Sequence, residues 1–191
     1  MYLRPATLYD VPALLQLVRK VVPQMRAEGN LQWDDHYPDA NAFIHDIEEG
    51  QLWVAEIDET DSSVDDAADA DSDAPLAAAI AGVAAITIDQ YPEYADVGLD
   101  ISEHAIVVHR LAVDPDFRGK GVAGALMQHA EDIATRFGIN VLRVDTNVQN
   151  TAAHKLFPKL GYRLAGEIGL SFRPGMRFFC YEKRLAPPAT T

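Results

Sequence analysis

Cysteine is almost missing from this chain: Cys180 is the single one in 191 residues. No disulfide can therefore form within the chain, and a chain of this length can bury enough surface to fold without such a staple. Long apolar runs are also missing. The most apolar stretches, Leu76 to Ile88 and Ala105 to Val108, fall short of the roughly 20 residues a membrane-spanning helix needs. Met1 to Thr7 lacks the basic start and apolar stretch of a secretory leader. These absences point to a soluble, cytoplasmic protein with no membrane partner. Positive charge is scarce too, with 16 Lys and Arg against 29 Asp and Glu and a net charge of −13. That balance argues against a nucleic-acid partner, whose phosphates call for a basic patch. His36, His45, His104, His129 and His154 are scattered without ligand spacing, so no metal site is expected.

Much of the negative charge sits in one place. From Asp58 to Pro75 there are eight acidic residues and no basic one. Such a stretch repels itself and has little to bury, so it reads as a solvated insertion, with a lid or an acidic partner-binding arm as the functional alternative. Without those eight charges the remainder is about −5. Residues 1–185 read as one domain carrying the insertion at 58–75, and 186–191 as a frayed tail.

Periodicity and punctuation order the rest. A first strand spans Arg4 to Thr7, and Thr7 or Asp10 caps a helix whose apolar positions Val11, Leu14, Leu15, Val18, Val21 and Val22 recur at helical spacing. Gly29-Asn30 ends that region, an aromatic loop holding Trp33 and Tyr37 follows, and Asp39 to Glu49 forms a second helix closed by Gly50. Leu52 to Ile57 and Ala77 to Ile88 are strands on either side of the acidic segment, and Ala105 to Val113 is a central strand broken by Asp114-Pro115-Asp116-Phe117. Gly121 to Phe137 is amphipathic, Val141 to Thr146 is the next strand, and Asn150 caps a helix that runs to Leu160 with a kink expected at Pro158. Two last strands cover Tyr162 to Glu167 and Arg177 to Lys183, which puts Cys180 on an edge strand as packing rather than a nucleophile. The order gives an α/β chain with a mixed sheet covered by helices and one parallel crossover.

The chemistry concentrates in Arg118-Gly119-Lys120-Gly121-Val122-Ala123-Gly124-Ala125, between a buried strand and an amphipathic helix. A helix start presents unpaired N–H groups and a positive dipole end, and small residues let a diphosphate approach the backbone. An anion site is the direct inference; a tight turn using glycines for their positive φ is the plain alternative. The spacing Gly119-x-Gly121-x-x-Gly124, with Asp145 about twenty residues on, also fits a dinucleotide fingerprint. Against it, Asp114 to Arg118 separate the strand from the first glycine and only one crossover unit is present. A Walker loop fails because Gly121, not Ser or Thr, follows Lys120.

Arg118, Gly121 and Ala123 match Gln/Arg-x-x-Gly-x-Gly/Ala, and on that signature the sequence resembles the GCN5-related N-acetyltransferase family, GNAT. His109 to Pro115 is similar to the family's central strand, and Asn150-x-x-Ala153 with Leu156-Phe157-x-Lys159-x-Gly161-Tyr162 to its later motif. Gly29-Asn30 through Trp33 and Tyr37-Pro38 resembles an uncharacterised bacterial branch. The resemblance implies an acyl-CoA N-acyltransferase fold of about seven strands and four helices, with acetyl-CoA as cosubstrate. It implies that backbone amides of Arg118, Gly119, Lys120, Gly121, Val122, Ala123 and Gly124 hold the pyrophosphate. Backbone groups of the segment Leu111, Ala112, Val113 pair with the pantetheine arm, and Asn150 hydrogen-bonds it.

Acetyl transfer by direct attack of an amine needs a proton acceptor, an oxyanion donor and a route for the leaving thiolate. His109, on a face with Val107 and Leu111, is the acceptor suggested by its ordinary pKa and by the resemblance, with a packed sheet histidine as the alternative. Asp145 orients the imidazole, holds a cationic substrate or caps the following loop. The N–H of Val113 is the oxyanion donor by resemblance. Where the family often has tyrosine this chain has Phe157, so the thiolate leaves unassisted or Tyr162 or Tyr181 serves as acid. Trp33 and Tyr37 are expected to enclose the acceptor amine; a core contact or a homodimer contact is the alternative for Trp33. The function expected is N-acetylation of a small-molecule or peptide amine. A non-catalytic acetyl-CoA sensor and a nicotinamide-dependent enzyme are the rivals.

Overall fold

A computed structural model of the chain describes residues 1–57 and 79–186. The acidic insertion and most of the expected tail lie outside the described residues. Among the described residues there are seven strands: β1 (Tyr2–Pro5), β2 (Leu52–Ile57), β3 (Ala79–Thr87), β4 (Ile106–Val113), β5 (Val141–Asn147), β6 (Arg163–Ile168) and β7 (Phe178–Arg184). The described residues also form four α-helices: α1 (Val11–Ala27), α2 (Ala40–Glu48), α3 (Val122–Arg136) and α4 (Thr151–Lys159). The strands make one sheet in the order β1-β2-β3-β4-β5-β7-β6. Only β4 and β5 pair in parallel; the other neighbours are antiparallel. A doubly wound dinucleotide fold needs several parallel crossovers, so this topology removes the structural basis of the nicotinamide alternative.

The elements form where burial and capping agree. In α1 Leu14, Leu17, Val18, Val21 and Val22 are buried at helical spacing, and in α3 Val122, Leu126, Ala130 and Ala134 make one stripe against the sheet. The Asp39 side chain accepts from the N–H of Ala42 at 2.9 Å and starts α2. Strand β3 is buried from Ala81 to Thr87, as a central strand covered on both faces should be. The first strand begins at Tyr2 rather than Arg4, and Thr7 precedes a short 3-10 turn, Leu8–Asp10, that leads into α1. Pro158 lies inside α4, one residue before its end, and removes the N–H that would bond the His154 carbonyl. Cys180 is buried on β7, which lies between β5 and β6. The expected edge placement is wrong because the last strand inserts beside β5 and leaves β6 at the rim.

Gly82 fixes how α3 sits. A Cβ at this position would stand 2.6 Å from Val122 Cγ1 and 3.0 Å from the Ala112 carbonyl oxygen, so the bare backbone lets the start of α3 rest on β3. Overpacking of this kind costs about 1–3 kcal/mol. Gly82→Ala is therefore expected to lower the unfolding midpoint, by about 2–4 °C per kcal/mol for a chain of this size, and to weaken any ligand held at the α3 terminus. A thermal melt and a ligand titration on the same variant check both effects; an unchanged melt would show that Val122 yields freely.

Candidate active site

Two irregularities open the sheet in its middle. Strand β4 pairs with β5 only through Ile106, Val107 and Val108. Beyond Val108 it keeps β3 as its partner while Asp145, Thr146 and Asn147 pair with β7 alone, so the two parallel strands splay. At the same point β4 bulges: Val83 opposes Ala112 and Ala85 opposes His109, and Arg110 takes φ 51. The extra residue reverses the alternation of side chains. Val108 and Leu111 both pack in the cluster under α3, whereas Val107 belongs to the cluster beneath Tyr94. Leu111 thus does not share a face with His109, a correction that follows from the bulge.

The splayed edge carries free backbone groups. The N–H of Asp114 donates to Ala81 of β3 at 2.9 Å, and successive N–H groups along a strand face opposite sides. The N–H of Val113 therefore points into the gap towards β5. From here a 3-10 turn, Pro115–Phe117, leads to α3. Lys20 on α1 clamps this turn, reaching Asp114 at 2.8 Å and Asp116 at 2.7 Å.

At the end of that turn Gly119 and Gly121 both adopt φ 80. Among the described residues no protein acceptor takes the N–H of Gly119, Gly121, Val122, Ala123 or Gly124. A Cβ at Gly119, Gly121 or Gly124 would meet nothing within 4 Å, so the space in front of these amides is open. The positive φ explains two of the glycines by conformation; Gly124 has no such need, and no contact among the described residues requires it. Arg118 and Lys120 flank the turn, both exposed. The result is a cradle of bare N–H groups at a helix N-terminus, suited to a diphosphate.

A small open pocket lies at the other end of the gap, lined in part by Gln32, Trp33, Tyr37, Tyr91, His109, Arg110, Asp145 and Arg173. The fold brings His109 and Asp145 together here, one from each splayed strand. His109 Nε2 lies 3.2 Å from the Asp89 carbonyl oxygen. A carbonyl can only accept, so this hydrogen bond places the proton on Nε2 and leaves Nδ1 as the ring's basic nitrogen. Burial pushes the imidazole below its ordinary 6.5, opposed by the nearby Asp145 carboxylate. Asp145 does not hydrogen-bond His109; it accepts from the Tyr94 hydroxyl at 2.6 Å. Burial raises its carboxyl above the usual value, against the pull of His109 and of the Tyr94 hydroxyl.

Other expected residues serve different ends. Tyr162 is buried in the cluster under α3 with Phe157 and Tyr181, away from the pocket, and its hydroxyl has no partner among the described residues. Burial raises that phenol above its usual range, making it a weak proton donor. The Tyr181 hydroxyl is engaged with His154 Nδ1 at 3.0 Å. Asn150 caps α4, with Oδ1 accepting from Ala153 N–H at 3.2 Å and Nδ2 donating to Thr146 Oγ1 at 2.9 Å, so its amide already has partners at both ends. Trp33 is buried in the core between α1, α2 and the sheet, with only its pocket-facing part available. The Tyr37 ring is covered by Arg173, whose Cζ stands 4.4 Å from the ring centroid, so that face is closed to a substrate ammonium.

Several pocket residues escaped the sequence reading as site candidates, among them Arg110, Arg173 and Tyr91; so did Tyr94, which lies outside the lining and bears on the pocket through its hydrogen bond to Asp145. Tyr91 packs against His109 with ring centroids 5.1 Å apart. Arg110 donates from Nε and Nη2 to the two oxygens of buried Asp46 on α2, each at 2.5 Å, and from Nη1 to the Tyr37 hydroxyl at 3.1 Å. No local pattern marks these residues, since each reaches the pocket through a long-range contact. Among the described residues no cluster of metal-ligating side chains occurs, and no helix is long and apolar enough to cross a membrane.

A family model described as "Acetyltransferase (GNAT) family" matches residues 18–162. N-acetylaspartate synthetase of Danio rerio is 35% identical over 74 residues, 39% of this chain and 26% of that protein, so the match spans about a quarter of the relative. Among solved structures, a GNAT-family acetyltransferase of Streptococcus agalactiae superposes with a TM-score of 0.75 at 24% identity, covering 97% of this chain and 95% of that one. The Salmonella typhimurium protein yncA, solved with its cofactor acetyl-CoA, gives 0.66 at 18% identity over 100% and 97% of the two chains. Both likenesses are of fold.

Proposed function

The chain belongs to the acetyltransferase (GNAT) family, and from that premise we propose that it transfers an acetyl group from acetyl-CoA to a primary amine by direct attack within a ternary complex. The observation that carries this reading is the pairing of a bare amide cradle with a histidine pocket at the two ends of one gap between β4 and β5.

The free N–H groups of Gly119, Gly121, Val122, Ala123 and Gly124 hold the pyrophosphate, while Arg118 and Lys120, whose own N–H groups donate to the Pro115 and Phe117 carbonyls, add side-chain charge in place of the amide contacts expected of them. The open edge of β4 pairs with the pantetheine arm as an added strand would. Bound acetyl-CoA supplies the electrophilic thioester carbon. His109 Nδ1 takes the proton that the attacking amine must lose, and its lowered pKa keeps the ring neutral at working pH. The N–H of Val113 faces the carbonyl oxygen as negative charge develops there. With Phe157 and Tyr162 both in the core, the thiol departs as its anion, which an ordinary thiol pKa of about 8.5 permits.

Two measurements test the reading. Acetyl-CoA is expected to raise the melting temperature while NAD(P) does not, and thiol release is expected with at least one class of primary amine. Stabilisation by acetyl-CoA without release on any amine would instead favour a sensor.

A further inference from the structure

The acceptor pocket holds two guanidinium groups in very different states. Arg110 is occupied, with Asp46 and the Tyr37 hydroxyl taking its Nε, Nη1 and Nη2. Arg173 is not. It sits on the β6–β7 loop, where its N–H donates to the Leu170 carbonyl at 2.9 Å and its carbonyl accepts from Met176 N–H at 3.2 Å. Its side chain is only 19% exposed, and its nearest approach to the Asp34 carboxylate is 3.7 Å, longer than a hydrogen bond. Among the described residues its guanidinium donates no hydrogen bond, and the Tyr37 ring holds one flat face at 4.4 Å.

A planar fork of N–H donors, held by stacking, mostly buried and engaged only by a loose ion pair with the half-exposed Asp34 carboxylate at 3.7 Å, fits a carboxylate in bidentate geometry. A second ammonium would be repelled there. The pocket is thus bipolar, with a cation on the Arg173 wall and the imidazole and carboxyl of His109 and Asp145 on the other. We propose that the acceptor is an amine that also carries a carboxylate, a free amino acid or close relative, bound by Arg173 through its carboxylate with its amine directed to His109. This rests on the acetyltransferase reading above.

The test pairs free amino acids with their decarboxylated counterparts: phenylalanine with 2-phenylethylamine, leucine with isopentylamine, histidine with histamine, alanine with ethylamine. Binding to the CoA-saturated protein is measured by calorimetry and turnover by thiol release, for wild type, Arg173→Met and Arg173→Lys. The expected result is at least about tenfold preference for the amino-acid member, lost in Arg173→Met and partly kept in Arg173→Lys, with acetyl-CoA affinity unchanged. Equal or better handling of the decarboxylated amines, an equal drop for both members in Arg173→Met, or no amino acid binding at all would overturn the carboxylate site. Amino acids that bind through Arg173 but release no thiol would keep the carboxylate site and overturn the transferase reading instead.

Discussion

Replacing Gly121 with Asp is expected to abolish acetyl-CoA binding while leaving the protein folded. Gly121 holds φ 80 at the N-cap of α3, a conformation that costs a side-chain-bearing residue about 1–2 kcal/mol. An aspartate at a helix N-cap returns about 1 kcal/mol by accepting from the first-turn amides, so the net change in stability is small. That compensation is what destroys the site. The new carboxylate occupies the N–H groups meant for the pyrophosphate and repels its charge. In wild type a ligand at about 100 times its Kd adds roughly 2.7 kcal/mol of stability; in Gly121→Asp the same addition should leave the melt unmoved, and calorimetry should show affinity down by at least about 100-fold. A variant that still binds tightly would place the coenzyme elsewhere.

His109→Ala should give the other large effect, on turnover rather than binding. Loss of a positioned general base lowers kcat by about 10²–10⁴-fold, and His109 lies at the far end of the gap from the amide cradle, so acetyl-CoA affinity should hold. The pH dependence carries the sign. Burial holds the imidazole below 6.5, so the wild-type rate should rise with pH along an acid limb centred below that value and then level as the ring becomes neutral. In His109→Ala this limb should vanish, leaving only the titration of the amine itself. Equal losses in turnover and coenzyme affinity would mark His109 as a packing residue.

The cradle was legible in the sequence because it is local. Its glycines, basic residues and following amphipathic helix are contiguous, and Val122 to Arg136 forms the helix their spacing predicts. The pocket was only half legible. His109 and Asp145 were found because each lies on a recognisable strand, but Arg110 and Arg173 depend on Asp46 and Tyr37, 64 residues away in one case. The face assignment of Leu111 failed because alternation was counted through a bulge that only strand pairing creates. Asn150 shows a different limit: the cap that made it recognisable as a helix start also engages the amide that was expected to contact the coenzyme.

The placement of β7 between β5 and β6 has a further consequence for how the molecule comes into being. As the chain leaves the ribosome, the flank of β5 beyond β4 and the whole of β6 remain as raw ribbons, because the ribbon that joins them is made after both. Cys180 must arrive opposite Asp145, and Phe178 must arrive to wall the pocket. Birth order puts the glycine turn ahead of the last wall of the pocket by some fifty residues of synthesis.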